Sequence, residues 1–377
     1  MPAACRFVSL VTALFLAATV PLHAQPAGTP VEGTVPPVDL HLNGTLDVTT
    51  FAAFDAEHRV APRGVLDVTA TADLGRLAHW PGATLVAQYY AFGGRNGSRI
   101  LGDYGGFSSI DADPFAHLGE LSLDVRWFSD RLRTRVGRLD ANSDFALPTS
   151  TELFQHSSAG LSGAIYPMPT YPDPEPGVVA AFAGPGRLLV TGGLFAGPEA
   201  ADVGEPMLES GRLWIAQVAT GDEPEPTRIV GGVYRHTGTF LDASGETSES
   251  AGWFVLGEQV AWQSRAGREL VASGQLSVSS TRTAPVTRHL AVGVRLRRMT
   301  HRREHDAMGI RVSLSALASD RASLQADHRA EQAVEVFHRF TLNAWLALQP
   351  DIQIVRLPAG EPHRTRLAMT LRLHVSR

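Results

Sequence analysis

The residues best suited to chemistry are charged side chains at alternate positions on both limbs of one predicted hairpin. This hairpin runs from Glu120 to Arg138, and its alternating charged residues are Glu120, Asp124, Arg126, Arg131, Arg133 and Arg135. Successive strand side chains point to opposite faces, so these charges share one face while Leu121 and Leu123 share the other. If the charged face lines a narrow water-filled space, the opposed charges create a field that selects solutes by dipole and hydrogen bonding.

A second set of arginines and carboxylates could complete such a charged wall. Arg295 and Arg297 alternate with apolar residues late in the chain, and Asp140 and Asp144 follow the hairpin directly. A guanidinium group donates hydrogen bonds in pairs to oxygen atoms, which suits solutes with many hydroxyls. The alternative interpretation is that all these charges only keep a wet interior hydrated.

Two tyrosines lie in a Pro-rich stretch, Thr149 to Pro176, and could contact a solute. Tyr166 and Tyr171 are predicted to be carried by a loop, where an aromatic ring can stack on the apolar face of a cyclic solute. Aromatic residues at strand ends are more often membrane-interface anchors, so these two are the preferred aromatic candidates. The stretch itself either folds into a lumen or remains a solvated external loop.

One string fits a metal-dependent catalytic motif. His301, Glu304 and His305 have the H-x-x-E-H spacing of inverted zinc peptidases. That chemistry requires a helix that brings both imidazoles to one metal ion. The string lies between two strand patterns without helical periodicity, so a charged turn is the preferred interpretation. The sequence therefore predicts no catalytic residue, no metal and no cofactor.

The N-terminal segment predicts export from the cytoplasm. Residues 1–24 contain an apolar run from Phe7 to Val20 and small residues near a cleavage point after Ala24, as in a secretory signal peptide. A short Pro/Gly-rich lead, residues 25–37, follows. Cys5 is the single cysteine and belongs to the signal, so no disulfide is predicted in the mature chain. The formal net charge of −5 offers no basic footprint for nucleic acid.

Strand patterns follow one another from residue 38 to the end of the chain. No later apolar run reaches the roughly 18 residues of a membrane helix, whereas a tilted barrel strand needs only about 9 to 11 alternating residues. No segment shows a sustained helical period. Besides the hairpin, the predicted strands are Val38–Phe54, Val65–Leu74, Thr84–Phe92, Gly177–Ala196, Leu213–Thr220, Arg228–Phe240, Trp253–Gln263, Glu269–Ser279, Arg288–Arg298, Met308–Ala318, Ala333–Leu348, Pro350–Arg356 and Arg364–Val375.

Alternation alone does not separate a soluble sandwich from a membrane barrel, because both have one apolar and one polar strand face. Gly, Ala, Ser and Arg on the polar faces suit a wet interior, and aromatic residues near strand ends are typical of interface girdles. The sequence therefore predicts an all-β fold, a transmembrane antiparallel β-barrel over residues 38–377, whose apolar face meets lipid.

Several segments resemble the carbohydrate-selective porin family, the OprB type of bacterial outer membranes. They occur in family order at His79–Gly94, Leu101–Ala112 and Gly137–Ala146, followed by the string YPMPTYPDPEPGVV and by Leu342–Gly360. The resemblance implies sixteen antiparallel strands around a constricted, water-filled lumen that passes monosaccharides by diffusion. Chains of this family usually finish on an aromatic residue, whereas this chain finishes on Arg377.

The expected function is passive diffusion of small sugars such as glucose across the bacterial outer membrane. Transported sugars and outer-membrane lipid are the expected partners, nucleic acid is not, and monomer and homotrimer both stay open. Three alternatives remain: a general diffusion pore with little sugar preference, an outer-membrane barrel enzyme, and a periplasmic polysaccharide-binding β-protein. Extraction with outer membranes and conductance in planar bilayers distinguish among them.

Overall fold

One antiparallel sheet closes on itself to form a barrel. The computed structural model describes residues 36–53, 56–166, 168–197, 207–220, 227–241, 247–279, 284–299, 305–318, 330–358 and 364–377. Within them the strands are β1 (Val38–Ala53), β2 (Ala56–Asp73), β3 (Ala83–Gly94), β4 (Phe115–Trp127), β5 (Leu132–Leu139), β6 (Glu175–Ala183), β7 (Leu189–Ala196), β8 (Met207–Glu209), β9 (Arg212–Ala219), β10 (Thr227–Leu241), β11 (Thr247–Gln263), β12 (Glu269–Ser279), β13 (Val286–Arg297), β14 (Ala307–Leu317), β15 (Ala330–Asn343), β16 (Leu346–Arg356) and β17 (Thr365–Ser376).

The order of pairing closes sixteen of these strands into a ring. β1 pairs with both β2 and β17, and β7 pairs with β9. The three-residue β8 extends the pairing of β10 beyond the start of β9. The predicted sixteen-stranded all-β barrel is confirmed, and its closure removes the exposed sheet edges that lipid could not satisfy.

The outward face of the barrel is apolar and the inward face is polar. On β14, Ile310, Val312 and Leu314 are 45%, 39% and 39% exposed, whereas Arg311 and Ser313 between them are buried. A monomeric protein in water rarely exposes so large a contiguous apolar area. The exterior therefore meets lipid, which decides between the sandwich and the membrane barrel in favour of the barrel.

The helices of the described residues are short connections. Leu74–Ala78 and Gly97–Leu101 have five residues each. Asp73 and Asn96 cap them by accepting a backbone N–H of the first turn. No described helix combines the length and apolar character that a membrane-spanning helix requires.

The connections differ in length at the two ends of the barrel. The end where β1 begins and β17 finishes has short turns, such as residues 128–131 and residues 344–345. The opposite end carries the long connections 95–114 and 140–174. Outer-membrane barrels have short periplasmic turns and longer extracellular loops, so the end with the long connections faces outward.

Tryptophans mark the periplasmic rim. Trp80, Trp127 and Trp345 are 42%, 41% and 52% exposed there, as expected of an interface belt. The Trp127 indole donates to Thr134 Oγ1 at 2.8 Å, so its ring lies across β4 and β5. Val125 belongs to the apolar face of β4, yet it is only 4% exposed.

Two predicted strands each run across a turn of the structure, and a third, Val65–Leu74, omits the first nine residues of β2. Gly177–Ala196 is in fact β6 and β7, separated by a turn in which Gly186 has a φ of 68°. Ala333–Leu348 joins the end of β15 to the start of β16 across a two-residue turn. Both turns are flanked by apolar residues, so they do not interrupt the alternation from which the strands were predicted.

Two long connections enter the barrel and pack against its inner wall. We call residues 95–114 the first inserted segment and residues 140–174 the second inserted segment. Phe145 of the second segment contacts Phe195 of β7 edge to face, with ring centroids 6.1 Å apart. Phe107 of the first segment contacts Phe51 of β1 in the same way at 5.1 Å. The chain itself therefore fills much of the lumen and narrows the remaining passage.

Candidate functional site

Carboxylates on the barrel wall hold the second inserted segment. Glu258 on β11 accepts the backbone N–H of Ser150 at 2.5 Å. Glu335 on β15 accepts the backbone N–H groups of Gln155 and His156. Hydrogen bonds from backbone amides to a charged acceptor are stronger than neutral ones. Inward-facing acids on two separate strands therefore set the path of this segment across the lumen.

The first inserted segment is held in the same manner. Glu331 on β15 accepts the backbone N–H groups of Tyr104 at 2.9 Å and Gly105 at 2.7 Å. A Cβ added at Gly105 would lie 2.9 Å from Glu331 Oε1, so only glycine permits this close approach. Farther along the segment, Asp111 Oδ1 lies 2.7 Å from Arg63 Nε, and both side chains are buried.

The two inserted segments meet and bond to each other. The backbone N–H of Ser157 donates to Gly106 O, and that of Ser109 donates to Gln155 O, both at 2.8 Å. Beside these bonds, His156 Nε2 lies 3.5 Å from Asp103 Oδ2, with both side chains buried. This junction joins the segments into one constriction.

Protonation of His156 is expected to tighten the junction. Burial lowers the pKa of His156, but Asp103 and the carboxylates of Glu335 and Glu331 outweigh burial and raise this pKa above 6.5. A group whose pKa is higher in the folded state stabilises it below the unfolded pKa and loses that contribution as the pH rises through the folded pKa. We therefore expect the protection factors of the backbone amides in residues 103–109, which are corrected for the intrinsic rise of the exchange rate with pH, to be highest in mild acid and to fall as the pH rises.

Two variants, His156→Gln and His305→Gln, separate the effect of His156 from a general dependence of the protein on pH. His156→Gln is expected to remove most of the change in these protection factors between about pH 5 and about pH 9, because it removes the titrating group. His305→Gln, at an exposed position of the opposite end, should keep the wild-type dependence. An unchanged pH profile in His156→Gln would contradict the assignment.

Five predicted residues form one cluster where the second inserted segment meets β4 and β5. We call it the Arg135 cluster: Glu120, Asp124, Arg133 and Arg135 of the two strands and Asp144 of the segment. Arg133 Nη2 lies 2.6 Å from Asp124 and its Nη1 lies 3.2 Å from Asp144. Arg135 bridges Glu120 and Asp144 through its two terminal nitrogens. The Arg135 side chain is 8% exposed, whereas that of Arg133 is 40% exposed and remains open to the lumen.

The other two charged residues of the hairpin lie apart from this cluster. Arg131 is exposed in the periplasmic turn, where three preceding residues have left-handed backbone angles. Arg126 lies at the same rim, 3.9 Å from Asp130, and both side chains are more than 60% exposed. The tight turn ends the alternation before Arg131, so its side chain does not continue the inward row.

Asp140 and Tyr171 lie together, whereas Tyr166 lies elsewhere. Asp140 accepts the backbone N–H of Tyr171 at 3.1 Å. Burial raises the pKa of the Asp140 carboxyl above its ordinary value, and three hydrogen bonds from neighbouring groups oppose this only in part. The Tyr171 ring contacts the Tyr90 ring edge to face at 5.4 Å. The Tyr166 carbonyl instead accepts from Ser250 on β11, against the far wall.

Arg295 and Arg297 face a different part of the lumen. Arg295 Nη1 lies 2.9 Å from Glu152 of the second inserted segment, and Arg297 Nη2 lies 2.7 Å from Glu269. Both arginines line a cavity of 760 Å³ in the periplasmic half of the barrel. The cavity is also lined by Arg298, Arg339 and Arg372. This cavity lies on the periplasmic side of the junction between the two inserted segments.

Sequence reasoning missed a polar row on β2 and β3 beside the Arg135 cluster. Tyr90 donates to Gln88 Oε1 at 2.7 Å, and Gln88 Nε2 donates to both oxygens of Asp67 at 3.0 Å. A Cβ at Gly119 would lie 2.2 Å from the Tyr90 ring, so glycine allows this ring to lie against β4 next to Glu120. The alternation of Asp67 with apolar residues was the available signal.

The described residues contain no group of three or more histidine, cysteine or acidic side chains that could hold a metal ion. Of the zinc-peptidase string, residues 301–304 lie outside the described residues, and His305 is exposed. The predicted signal peptide, residues 1–24, and most of the lead also lie outside them.

A closed barrel with an apolar exterior and a charged lumen narrowed by its own connections defines a porin. A profile of the family described as "Carbohydrate-selective porin, OprB family" matches residues 57–221 and 216–376. The chain belongs to this family, and it is accordingly a sugar-diffusing porin of the outer membrane.

Solved structures show the same fold at low sequence identity. A high-pH structure of Pseudomonas putida OprB matches with a TM-score of 0.77 and 16% identity, covering 90% of this chain and 94% of that one. A low-pH structure of the same protein matches with a TM-score of 0.59 and 14% identity, covering 90% of this chain and 93% of that one. The anion-selective porin from Comamonas acidovorans matches with a TM-score of 0.55 and 9% identity, covering 90% of this chain and 100% of that one. No curated protein matches the chain.

Proposed function

We propose that small, neutral sugars are selected where the passage runs past the Arg135 cluster. The observation that carries this proposal is the placement of two guanidinium groups among three carboxylates in one cluster, with the Arg133 side chain 40% exposed. Opposed fixed charges with a small net charge give a polar, hydroxyl-rich solute many hydrogen-bond partners, while an ion of either sign meets a repelling group.

The polar row on β2 and β3 extends this surface. Asp67, Gln88 and Tyr90 offer oxygen and nitrogen atoms in one connected series of hydrogen bonds. Tyr171 adds an aromatic ring at the same place, and a sugar ring has an apolar face that can pack on it. The proposed contact surface therefore combines charged donors, neutral amide and hydroxyl groups, and one aromatic ring from an inserted segment.

Liposome swelling with sugars of graded size tests the proposal. Swelling with glucose should be fast, swelling with disaccharides slow, and a sugar acid of the same size as glucose should enter more slowly than glucose. A general diffusion pore would follow molecular size alone and treat the two monosaccharides alike. A barrel without swelling activity would exclude diffusion altogether.

Release of the second inserted segment is expected to widen the pore. The change is Glu258→Ala together with Glu335→Ala, which removes charge-assisted hydrogen bonds worth about 1.5–3 kcal/mol each. We expect the single-channel conductance to rise about twofold and disaccharides to enter, since the constriction no longer holds. Asp130→Ala, in an exposed turn, is the control and should leave both unchanged. Wild-type disaccharide exclusion in the double variant would show that these acids do not hold the constriction.

We also infer that residues 1–24 direct export and are removed, and that transport needs neither cofactor nor catalysis. One chain encloses the whole lumen, so the proposal applies equally to a monomer and to a homotrimer. Mass determination of the protein extracted from outer membranes tests the cleavage, and chemical cross-linking in those membranes tests the assembly.

A further inference from the structure

The lipid-facing surface carries two adjoining grooves on the side of β5 to β10. One groove, of 770 Å³, runs over β6, β7, β9 and β10, and its lining includes Val178, Leu194 and Trp214. The other, of 430 Å³, runs over β5, β6, β7 and the start of β9, and shares Val178 and Leu194 with the first. The two depressions therefore form one forked apolar surface on the outside of the barrel.

Small residues on adjacent strands form the floor of the larger groove. Ala180 pairs with Gly192, and Gly192 pairs with Ala216. A Cβ added at Gly192 would meet no atom within 4 Å, so the space above the floor is open. Trp214, 52% exposed, and Val233, 58% exposed, rise beside it. The shape and apolar character fit an extended acyl chain.

The lining of each groove includes one arginine. Arg212 lines the smaller groove and Arg235 lines the larger one. Arg235 pairs with Trp214 across the strands, which places Arg212 diagonally opposite at a Cα separation of roughly 7–8 Å. Both face outward, and both lie toward the extracellular end, where β9 begins. Arg212 is exposed, and the Arg235 side chain is 64% exposed with Glu249 at 2.7 Å.

We propose that this forked surface binds a phosphate-bearing glycolipid of the outer leaflet, with acyl chains in the grooves and phosphate groups at Arg212 and Arg235. Guanidinium groups bind phosphate oxygens in pairs, and two arginines exceed the single carboxylate of Glu249 beside them. A cation immediately above an apolar surface matches the order of headgroup and chain in such a lipid. A third outer groove, of 470 Å³ around Gly257 and Gly274, has no arginine in its described lining and is not assigned a lipid.

The rim offers a matched control for the charge. Arg288 and Arg356 are also exposed and face outward at the extracellular end, because the adjoining His289 and Val355 are buried and face inward. They lie on β13 and β16, away from both grooves. A pair of variants at each location therefore removes the same charge from the same leaflet, and only one pair lies at the proposed site.

Binding is measured by native mass spectrometry on the full chain in detergent, titrated with diphosphorylated lipid A. Arg212→Gln with Arg235→Gln should weaken binding by about tenfold or more, whereas Arg288→Gln with Arg356→Gln should change it less than about twofold. Removal of both phosphates from the lipid should weaken wild-type binding as much as the first variant does. Equal losses in the two double variants would mean general charge attraction and would overturn the site.

A second variant tests the groove without changing charge. Gly192→Leu fills open space above the floor with an apolar side chain that lipid tolerates, so folding of the barrel is preserved. It should lower the affinity for diphosphorylated lipid A by displacing an acyl chain. Wild-type affinity in this variant, or in the variant that lacks Arg212 and Arg235, would refute the proposed mode of binding.

Discussion

Replacement of Arg133 and Arg135 by glutamine is expected to turn the pore strongly toward cations. The two arginines lie among Glu120, Asp124 and Asp144, so their loss leaves three carboxylates without a cationic partner in the cluster. One unit charge contributes about 1 kcal/mol to an ion about 4 Å away in water, and two such changes alter the ratio of cation to anion permeability by roughly tenfold or more. Reversal potentials across a planar bilayer at low salt measure this ratio directly.

The same double variant is expected to slow glucose relative to other solutes of its size. A neutral sugar loses the paired donors of two guanidinium groups, so block of ion current by added glucose should weaken. Arg131→Gln is the matched control, because Arg131 is exposed in the periplasmic turn and should leave both quantities unchanged. Wild-type selectivity and wild-type glucose block in the double variant would exclude the Arg135 cluster from the passage.

Loss of Arg135 also affects folding, and a lysine variant separates the two effects. The Arg135 side chain is 8% exposed, and removal of one partner of a buried ion pair costs about 3–5 kcal/mol. Arg133→Lys with Arg135→Lys keeps both charges and should keep the ion selectivity, while it loses the bidentate geometry that the sugar would use. Retained ion selectivity with weakened glucose block is therefore the expected result.

Val292→Arg is expected to lower the stability of the inserted barrel by about 2–4 kcal/mol. Val292 lies near the middle of β13, faces outward and is 56% exposed. A guanidinium group at this depth meets hydrocarbon, whereas Arg295 and Arg297 of the same strand face the lumen. Urea titration of the refolded protein in lipid vesicles measures the change.

Val292→Leu is the control, since leucine keeps the lipid-facing surface apolar and should fold with nearly wild-type stability. Val125→Arg gives a weaker test of lipid contact, because the native valine is only 4% exposed. If Val292→Arg inserted as well as the wild type, the outward face of β13 would not meet the bilayer core.

The alternation of residues determined most of the barrel. A period of two places side chains on a common face whatever the rest of the fold does, so the charged and apolar faces of β4, β5 and β13 followed from the order of residues. That reasoning also brought Glu120 and Asp124 to the same face as Arg133 and Arg135. This reasoning fails at short turns. Arg131 continues the two-residue alternation in the sequence, but it lies in the periplasmic turn and not on the inward face of β5.

The position of the inserted segments could not follow from alternation. Their place depends on bonds between residues far apart in the chain, such as Glu258 with Ser150 and Glu335 with His156. No local pattern records which inward-facing acid will accept the amides of which connection. For the same reason the sequence placed Tyr166 and Tyr171 in one loop without showing that only Tyr171 lies beside Tyr90.

The order of residues was enough to predict a chain of alternating strands, and the resemblance of short motifs to a known family indicated a sugar pore, because both are local properties. Which charges meet across the lumen, and which residues lie on the outer surface beside lipid, became known from the folded barrel. Closure of the ring brings β1 against β17, and inward folding brings residue 156 against residue 335. Such contacts arise from the shape of the whole chain, since they join groups that no local period relates.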